Sequence, residues 1–165
     1  GCAGDPISGF KDGLPQFALH QVPGEMAAAN YVYFPVAGEG HTFHDLSPGN
    51  TGAHYRQDDV DLTCSDTGPV LTGLEAGEWL TYTLGVPQAG DYTVELRYRA
   101  SAAGAAMRFA VDGAEPNAAT ALPATANAWH ASPGIKLKLR AGAQSLRLLV
   151  DASAEGLEIA SITLR

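Results

Sequence analysis

Residues Gly73 to Ser101 read GLEAGEWLTYTLGVPQAGDYTVELRYRAS. In the second half of this stretch, Tyr92, Val94, Leu96, Tyr98 and Ala100 alternate with Thr93, Glu95, Arg97 and Arg99. Successive side chains leave a strand on opposite sides, so a period of two marks a strand with one buried and one wet face. Trp79 to Leu84 is rich in aromatic and β-branched residues, and Pro87, Gly90 and Asp91 supply a turn before the second run. The pattern predicts two strands joined as an antiparallel hairpin.

Further strand-like runs lie at Asn30 to Phe34, Val60 to Thr63, Met107 to Val111, Ile135 to Leu139, Ser145 to Val150 and Leu157 to Leu164. Turn signals such as Pro48-Gly49-Asn50, Asp112-Gly113, Pro133-Gly134 and Ala141-Gly142 separate most of them. Gly24 to Ala29 and Ala102 to Ala106 hint at helix but are too short to stand alone. Many short strands with regular turns predict an all-β fold, a sandwich of two antiparallel sheets. Residues 1–22 carry Gly1, Gly4, Pro6, Gly9, Gly13 and Pro15, which break any period, and read as an arm or linker before a sandwich over 23–165.

At 165 residues, with 45% hydrophobic and 17% charged residues, the chain has the size and core content of one domain. A formal net charge of -8 repels phosphate backbones and anionic membrane surfaces, which argues against nucleic-acid binding. The basic row Lys136, Lys138 and Arg140 alternates with Ile135, Leu137 and Leu139 and reads as the solvated face of one strand. The sequence shows neither the long apolar run of a membrane span nor a signal peptide, and a cleaved signal is compatible with it. Cys2 and Cys64 fit no zinc spacing. Two readings stay open for Cys2: a disulfide with Cys64, or a lipid-bearing cysteine, against which Gly1 argues.

In combination, several segments resemble the family 6 carbohydrate-binding modules. They are Gly38-Glu39-Gly40 to His44-Asp45, Pro48 to Gly52, Tyr55-Arg56-Gln57-Asp58-Asp59-Val60-Asp61, Glu75-Ala76-Gly77-Glu78-Trp79-Leu80, Val86 to Tyr92, Arg140-Ala141-Gly142 and Gly156-Leu157-Glu158-Ile159. The resemblance covers roughly residues 30–165. It implies a jelly-roll β-sandwich of the kind appended to secreted glycoside hydrolases, most similar to modules of agarases and β-glucan-degrading enzymes.

That resemblance also implies a site at the loop end of the sandwich, where two aromatic side chains clamp a sugar and an asparagine hydrogen-bonds it. Trp129 falls at one clamp position, Gly73 at the other, and Glu158 at the asparagine position. A neutral polysaccharide offers apolar ring faces and hydroxyls, so an aromatic platform with a few polar groups is the matching chemistry. Tyr55, Arg56, Asp58 and His130 complete the candidate carbohydrate-binding set. Trp79, flanked by Glu78 and Leu80 in a strand, is expected in the core. The resemblance further implies a structural calcium ion, held by carboxylates of the first strand and an aspartate near the C-terminus. Those positions align with Ala29-Asn30-Tyr31-Val32 and with Ala160, which supply no carboxylate.

No nucleophile elbow, zinc-binding helix or phosphate loop is present. Asp58, Asp59, Asp61, Glu75 and Glu78 include possible carboxylate pairs for glycoside hydrolysis, but their setting in the resembling motifs favours binding or structure. His41 and His44 lack a third metal ligand with fitting spacing. The expected function is that of a noncatalytic module directing a secreted, bacterial-type extracellular or cell-surface glycoside hydrolase to a β-glucan or agar-type galactan. The expected partners are that polysaccharide, or an oligosaccharide of it, and a catalytic domain on the same polypeptide; no cofactor, nucleic acid or membrane span is expected, and the chain is expected to be a monomer. The alternative is a degenerate sandwich without sugar or calcium sites that acts as a spacer or protein-docking domain.

Overall fold

The computed structural model describes residues 10–11, 14–15, 19–29, 31, 43–44, 62–65 and 68–165. In chain order the strands are β1 (Phe10–Lys11), β2 (Leu14–Pro15), β3 (His20–Gln21), β4 (Gly24–Ala27), β5 (Phe43–His44), β6 (Leu62–Ser65), β7 (Gly68–Leu71) and β8 (Trp79–Val86). They continue with β9 (Gly90–Arg99), β10 (Ala105–Val111), β11 (Thr120–Leu122), β12 (His130–Ala131), β13 (Ile135–Leu139), β14 (Gly142–Ala152) and β15 (Glu158–Leu164). There is no helix among the described residues, so none is long and apolar enough to cross a membrane.

Two sheets face each other, as an all-β sandwich requires. The first runs β11-β10-β14-β8-β3, with β5 also on β8; the second runs β12-β9-β15-β7-β6, with β13 on β9 and β4 on β15. Alternation decides which side chains meet between them. Leu80, Tyr82, Leu84 and Val86 of β8 and Leu146, Leu148 and Val150 of β14 point inward from the first sheet. Val94, Leu96 and Tyr98 of β9, Ile135, Leu137 and Leu139 of β13 and Ile159, Ile162 and Leu164 of β15 meet them from the second. Each such buried aliphatic or aromatic side chain contributes about 1.5–3 kcal/mol relative to leaving it in water. Lys136 and Lys138 point outward from β13, as the alternation predicts.

The expected hairpin does not form. β8 pairs with β14, β3 and β5, whereas β9 pairs with β12, β13 and β15, so the turn through Pro87 carries the chain from one sheet to the other. A period of two records which face is buried, not which strand lies alongside; β8 and β9 bury their faces against the same core from opposite sides.

The segment Gly24 to Ala29, which hinted at helix, is strand β4 followed by a turn at Ala28–Ala29. β4 pairs antiparallel with β15, Gly24 opposite Leu164 and Ala27 opposite Ser161. A strand at Asn30 to Phe34 lies outside the described residues except for Tyr31, which is fully buried and in no strand. Ala102 to Ala106 is a loop running into β10. The short strands β7 and β11 carry no alternation long enough to be read.

Candidate carbohydrate site at the loop end

Strand register gathers four connections at one end of the sandwich: residues 72–78, 100–104, 123–129 and 153–157. Ile159 at the start of β15 lies opposite Leu71 at the end of β7, Glu158 opposite Arg99 at the end of β9, and Ala105 at the start of β10 opposite Leu122 at the end of β11.

Trp129 is placed by a turn. Ala128 N donates to Thr125 O over 3.0 Å, and the two central residues, Ala126 and Asn127, have φ of 52° and 63°. Two successive positive φ values make a type I′ turn. Thr125, 7% exposed, pins this turn to the end of β9: its N–H donates to Ala100 O, and its Oγ1 accepts from Ala100 N at 3.0 Å. Ser101 Oγ donates to Asn127 Oδ1 over 3.2 Å. β12 then begins at His130, opposite Tyr98, so Trp129 stands beside the outward residues of β9.

Arg97 and Arg99 meet the Trp129 ring. The Arg99 guanidinium carbon lies 4.6 Å from the ring centroid and that of Arg97 5.7 Å, both within cation–π range. Arg99 Nε also donates to Glu158 Oε1 at 2.6 Å, and Nη2 lies equally close to the same oxygen. One guanidinium thus joins the half-buried Trp129 to Glu158, giving a row of aromatic face, paired donor and carboxylate. The two arginines are the site's unread residues. Sequence places them on the wet face of their strand, and only the arrival of Trp129 at that edge turns the face into a site.

Of the candidate residues, the structure therefore brings Trp129 and Glu158 together through Arg99. His130 follows Trp129 at the exposed sheet edge. Tyr55, Arg56 and Asp58 lie outside the described residues, as do Cys2 and His41. Gly73 is exposed with φ of 61°, a conformation that suits glycine and offers no ring to stack. Trp79 is not in the core. It is half-buried on the outer face of the first sheet, where the Arg147 guanidinium carbon lies 3.7 Å from its ring centroid, because the alternation of β8 turns Leu80 inward instead.

Among the described residues, those at the position implied by the resemblance do not fit calcium. β4 pairs with β15 and Ala28 N donates to Ala160 O at 2.9 Å, so Ala27 and Ala28 are the described first-strand residues beside Ala160, and Glu25 lines the same hollow; Asn30 and Val32 lie outside the described residues. Glu25 adds one carboxylate outside the positions implied by the resemblance, but Ala27 and Ala160 offer no side-chain oxygen. All three line a hollow together with the guanidinium-bearing Arg97, whose charge opposes a divalent cation. Among the described residues no group of three or more His, Cys, Asp or Glu side chains could hold a metal.

Solved carbohydrate-binding modules share this architecture. A family 6 module of Cellvibrio mixtus lichenase 5A, in complex with cellotriose, superposes with a TM-score of 0.56 at 24% identity, covering 72% of this chain and 94% of that one. A family 6 module from Clostridium stercorarium, in complex with cellobiose, gives 0.64 at 9% identity over 88% of this chain and 95% of its own. A family 35 module from Clostridium thermocellum gives 0.54 at 17% identity over 86% and 97%. No curated protein matches the chain. The model of carbohydrate-binding module family 35 matches residues 56–160, and with solved modules of families 6 and 35 both sharing its sandwich, the chain belongs to the family 35 carbohydrate-binding modules.

Proposed function

We propose that this carbohydrate-binding module holds a secreted or cell-surface glycoside hydrolase against a β-glucan or agar-type galactan, with residues 1–22 as the arm or linker, whose last residues join the first sheet as β3, and 23–165 as the module. It acts as a monomer and performs no chemistry itself. Binding raises the tethered enzyme's effective concentration at its substrate. The observation that supports this reading most is the row Trp129, Arg99 and Glu158 at the loop end. An apolar sugar face stacks on the exposed part of the Trp129 ring. The carboxylate of Glu158 accepts from hydroxyls, and Arg99 and His130 serve as donors.

Affinity electrophoresis in gels containing laminarin, mixed-linkage glucan, agarose or xylan tests the reading. Retardation by laminarin, mixed-linkage glucan or agarose, lost in Trp129→Ala with the fold intact, is the expected result. Unretarded migration in every gel would refute it. A second reading, a spacer or docking domain, is favoured by Gly73 in place of a second clamp ring. Co-purification with a partner, together with no sugar-dependent change in tryptophan fluorescence, would select it.

A further inference from the structure

The outer face of the second sheet carries a transverse row that shares only Arg97 with the loop-end site. Ala131 of β12 lies opposite Arg97 of β9, Arg97 opposite Ser161 of β15, and Ser161 opposite Ala27 of β4. A register shift between Ile159 and Ser161 marks a bulge in β15, and both Ala160 and Ser161 line the surface there. Small residues around one arginine leave a trough between bulkier rows. It comprises a hollow of about 380 Å³, lined by Glu25, Ala27, Pro69, Arg97, Ala160 and Ser161, and a neighbouring hollow of about 320 Å³. The two share Glu25 and Arg97, so they adjoin.

Three polar groups in this trough are poorly satisfied within the protein. Ser161 is 8% exposed and its buried hydroxyl has no hydrogen-bond partner among the described residues, an arrangement that costs free energy. Among the described residues, Arg99, Arg108, Arg140 and Arg165 each have a carboxylate partner, whereas Arg97 has none and its guanidinium lies over the Trp129 ring. Glu25 accepts a single long bond, 3.4 Å, from Thr163 Oγ1.

The charges select the ligand class. A cation entering the first hollow faces Arg97, and an anion faces Glu25. A neutral polyol satisfies both, donating hydroxyl protons to Glu25 and accepting from Arg97, with Ala27, Ala160 and Pro69 beneath its apolar face. The row crosses four strands, a span of about 14 Å at the usual strand spacing. That accommodates a run of sugar rings rather than one terminal residue. Its β12 end lies two residues from Trp129, and Arg97 borders both.

We propose that this trough is a second carbohydrate subsite, continuous with Trp129 through Arg97, which takes an internal stretch of a neutral polysaccharide chain across the sheet. The proposal rests on the sugar-binding reading above.

Isothermal titration with laminaritriose and laminarihexaose, with agaro-oligosaccharides of matched lengths in parallel, tests it. The hexamer of whichever series binds is expected to bind at least tenfold tighter than its short counterpart. Glu25→Ala and Ala27→Gln, each checked for an unchanged melting temperature, are expected to remove that length advantage and leave short-oligomer affinity unchanged. Trp129→Ala weakens both. Retention of the length advantage in both trough variants overturns this proposal alone, as does tighter binding of polygalacturonate or carrageenan than of the neutral chains. A calcium-dependent rise in melting temperature that Glu25→Ala abolishes also overturns it, by assigning the hollow to a cation. Absence of binding to every oligosaccharide refutes the sugar-binding reading itself and this proposal with it.

Discussion

Replacing Arg99 by methionine keeps an unbranched apolar stem on β9 and removes the guanidinium that meets Trp129 on one side and Glu158 on the other. The Glu158 side chain is 14% exposed and that of Arg99 33%, so the pair stands between a surface bridge and a buried one. A charge-assisted hydrogen bond is worth about 1.5–3 kcal/mol. Discounting for the third of Arg99 that water reaches leaves about 1–2 kcal/mol. The contact with the Trp129 ring at 4.6 Å adds roughly 0.5–1 kcal/mol. Arg99→Met is therefore expected to cost about 1.5–3 kcal/mol, and at about 2–4 °C per kcal/mol for a domain of this size the melting temperature falls by roughly 3–12 °C. Urea denaturation of Arg99→Met, Glu158→Met and the double variant separates the pair from everything else, with an expected coupling energy of about 1 kcal/mol. A coupling below about 0.3 kcal/mol would show the ion pair to be solvent-screened decoration, and the row from Trp129 to Glu158 would not be the rigid platform described.

Asp112 offers a test in acid. Its carboxylate accepts from Ser145 N and from Arg140 Nε, each at 3.0 Å, and these bonds, led by the Ser145 backbone, hold it below the usual carboxylate range. The stabilisation is present above the unfolded value of about 3.9 and is lost as pH falls through the lower folded value, so Asp112→Asn should flatten the acid limb of the stability curve below about pH 4. Tyr98 donates to Pro123 O at 2.6 Å, and burial raises its pKa. That stability is present below about pH 10 and declines as pH rises through the folded value; Tyr98→Phe should cost about 1 kcal/mol at neutral pH and weaken the alkaline decline. Gly156 has φ of 72°, and a Cβ there would run into Ser101 Oγ, so Gly156→Ala should destabilise by more than about 1 kcal/mol in thermal melts. Leu148→Ala, fully buried in β14, should cost about 2–5 kcal/mol by the same measurement.

Alternation in the sequence located β8, β9, β13, β14 and β15 closely, because each of these strands buries one face. It could not pair them: Leu80 and Leu96 satisfy the same periodicity whether their strands are neighbours or lie on opposite sheets. β4 was hidden because Glu25, Met26 and Ala27 favour helix locally, and only tertiary pairing with β15 overrides that preference. Trp129 and Glu158 were legible through resemblance, but their connection through Arg99 depends on a cross-strand register with no linear signal. The same holds for the trough, whose members come from residues far apart in the chain. The misplacement of Trp79 in the core followed from its setting in a strand between Glu78 and Leu80; its opposite parity to the inward Leu80 was the better guide.

The pairing of Gly24 with Leu164 bears on how the module would hang from the catalytic domain proposed for it. The opening of β4 and the close of β15 lie side by side, and β15 runs from Glu158, opposite Arg99 near the Trp129 end, to Leu164, opposite Val94. Segments joined at these two points diverge from one corner, with the Trp129 loops at the far end of the sheet. Joined to the proposed catalytic domain, such a pendant would swivel about a single attachment zone with the Trp129 loops outward. Tension pulling the two segments apart would first load the short β3–β8 contact at His20 and Gln21 and then open the β4–β15 ladder rung by rung from Gly24, instead of shearing all its hydrogen bonds at once.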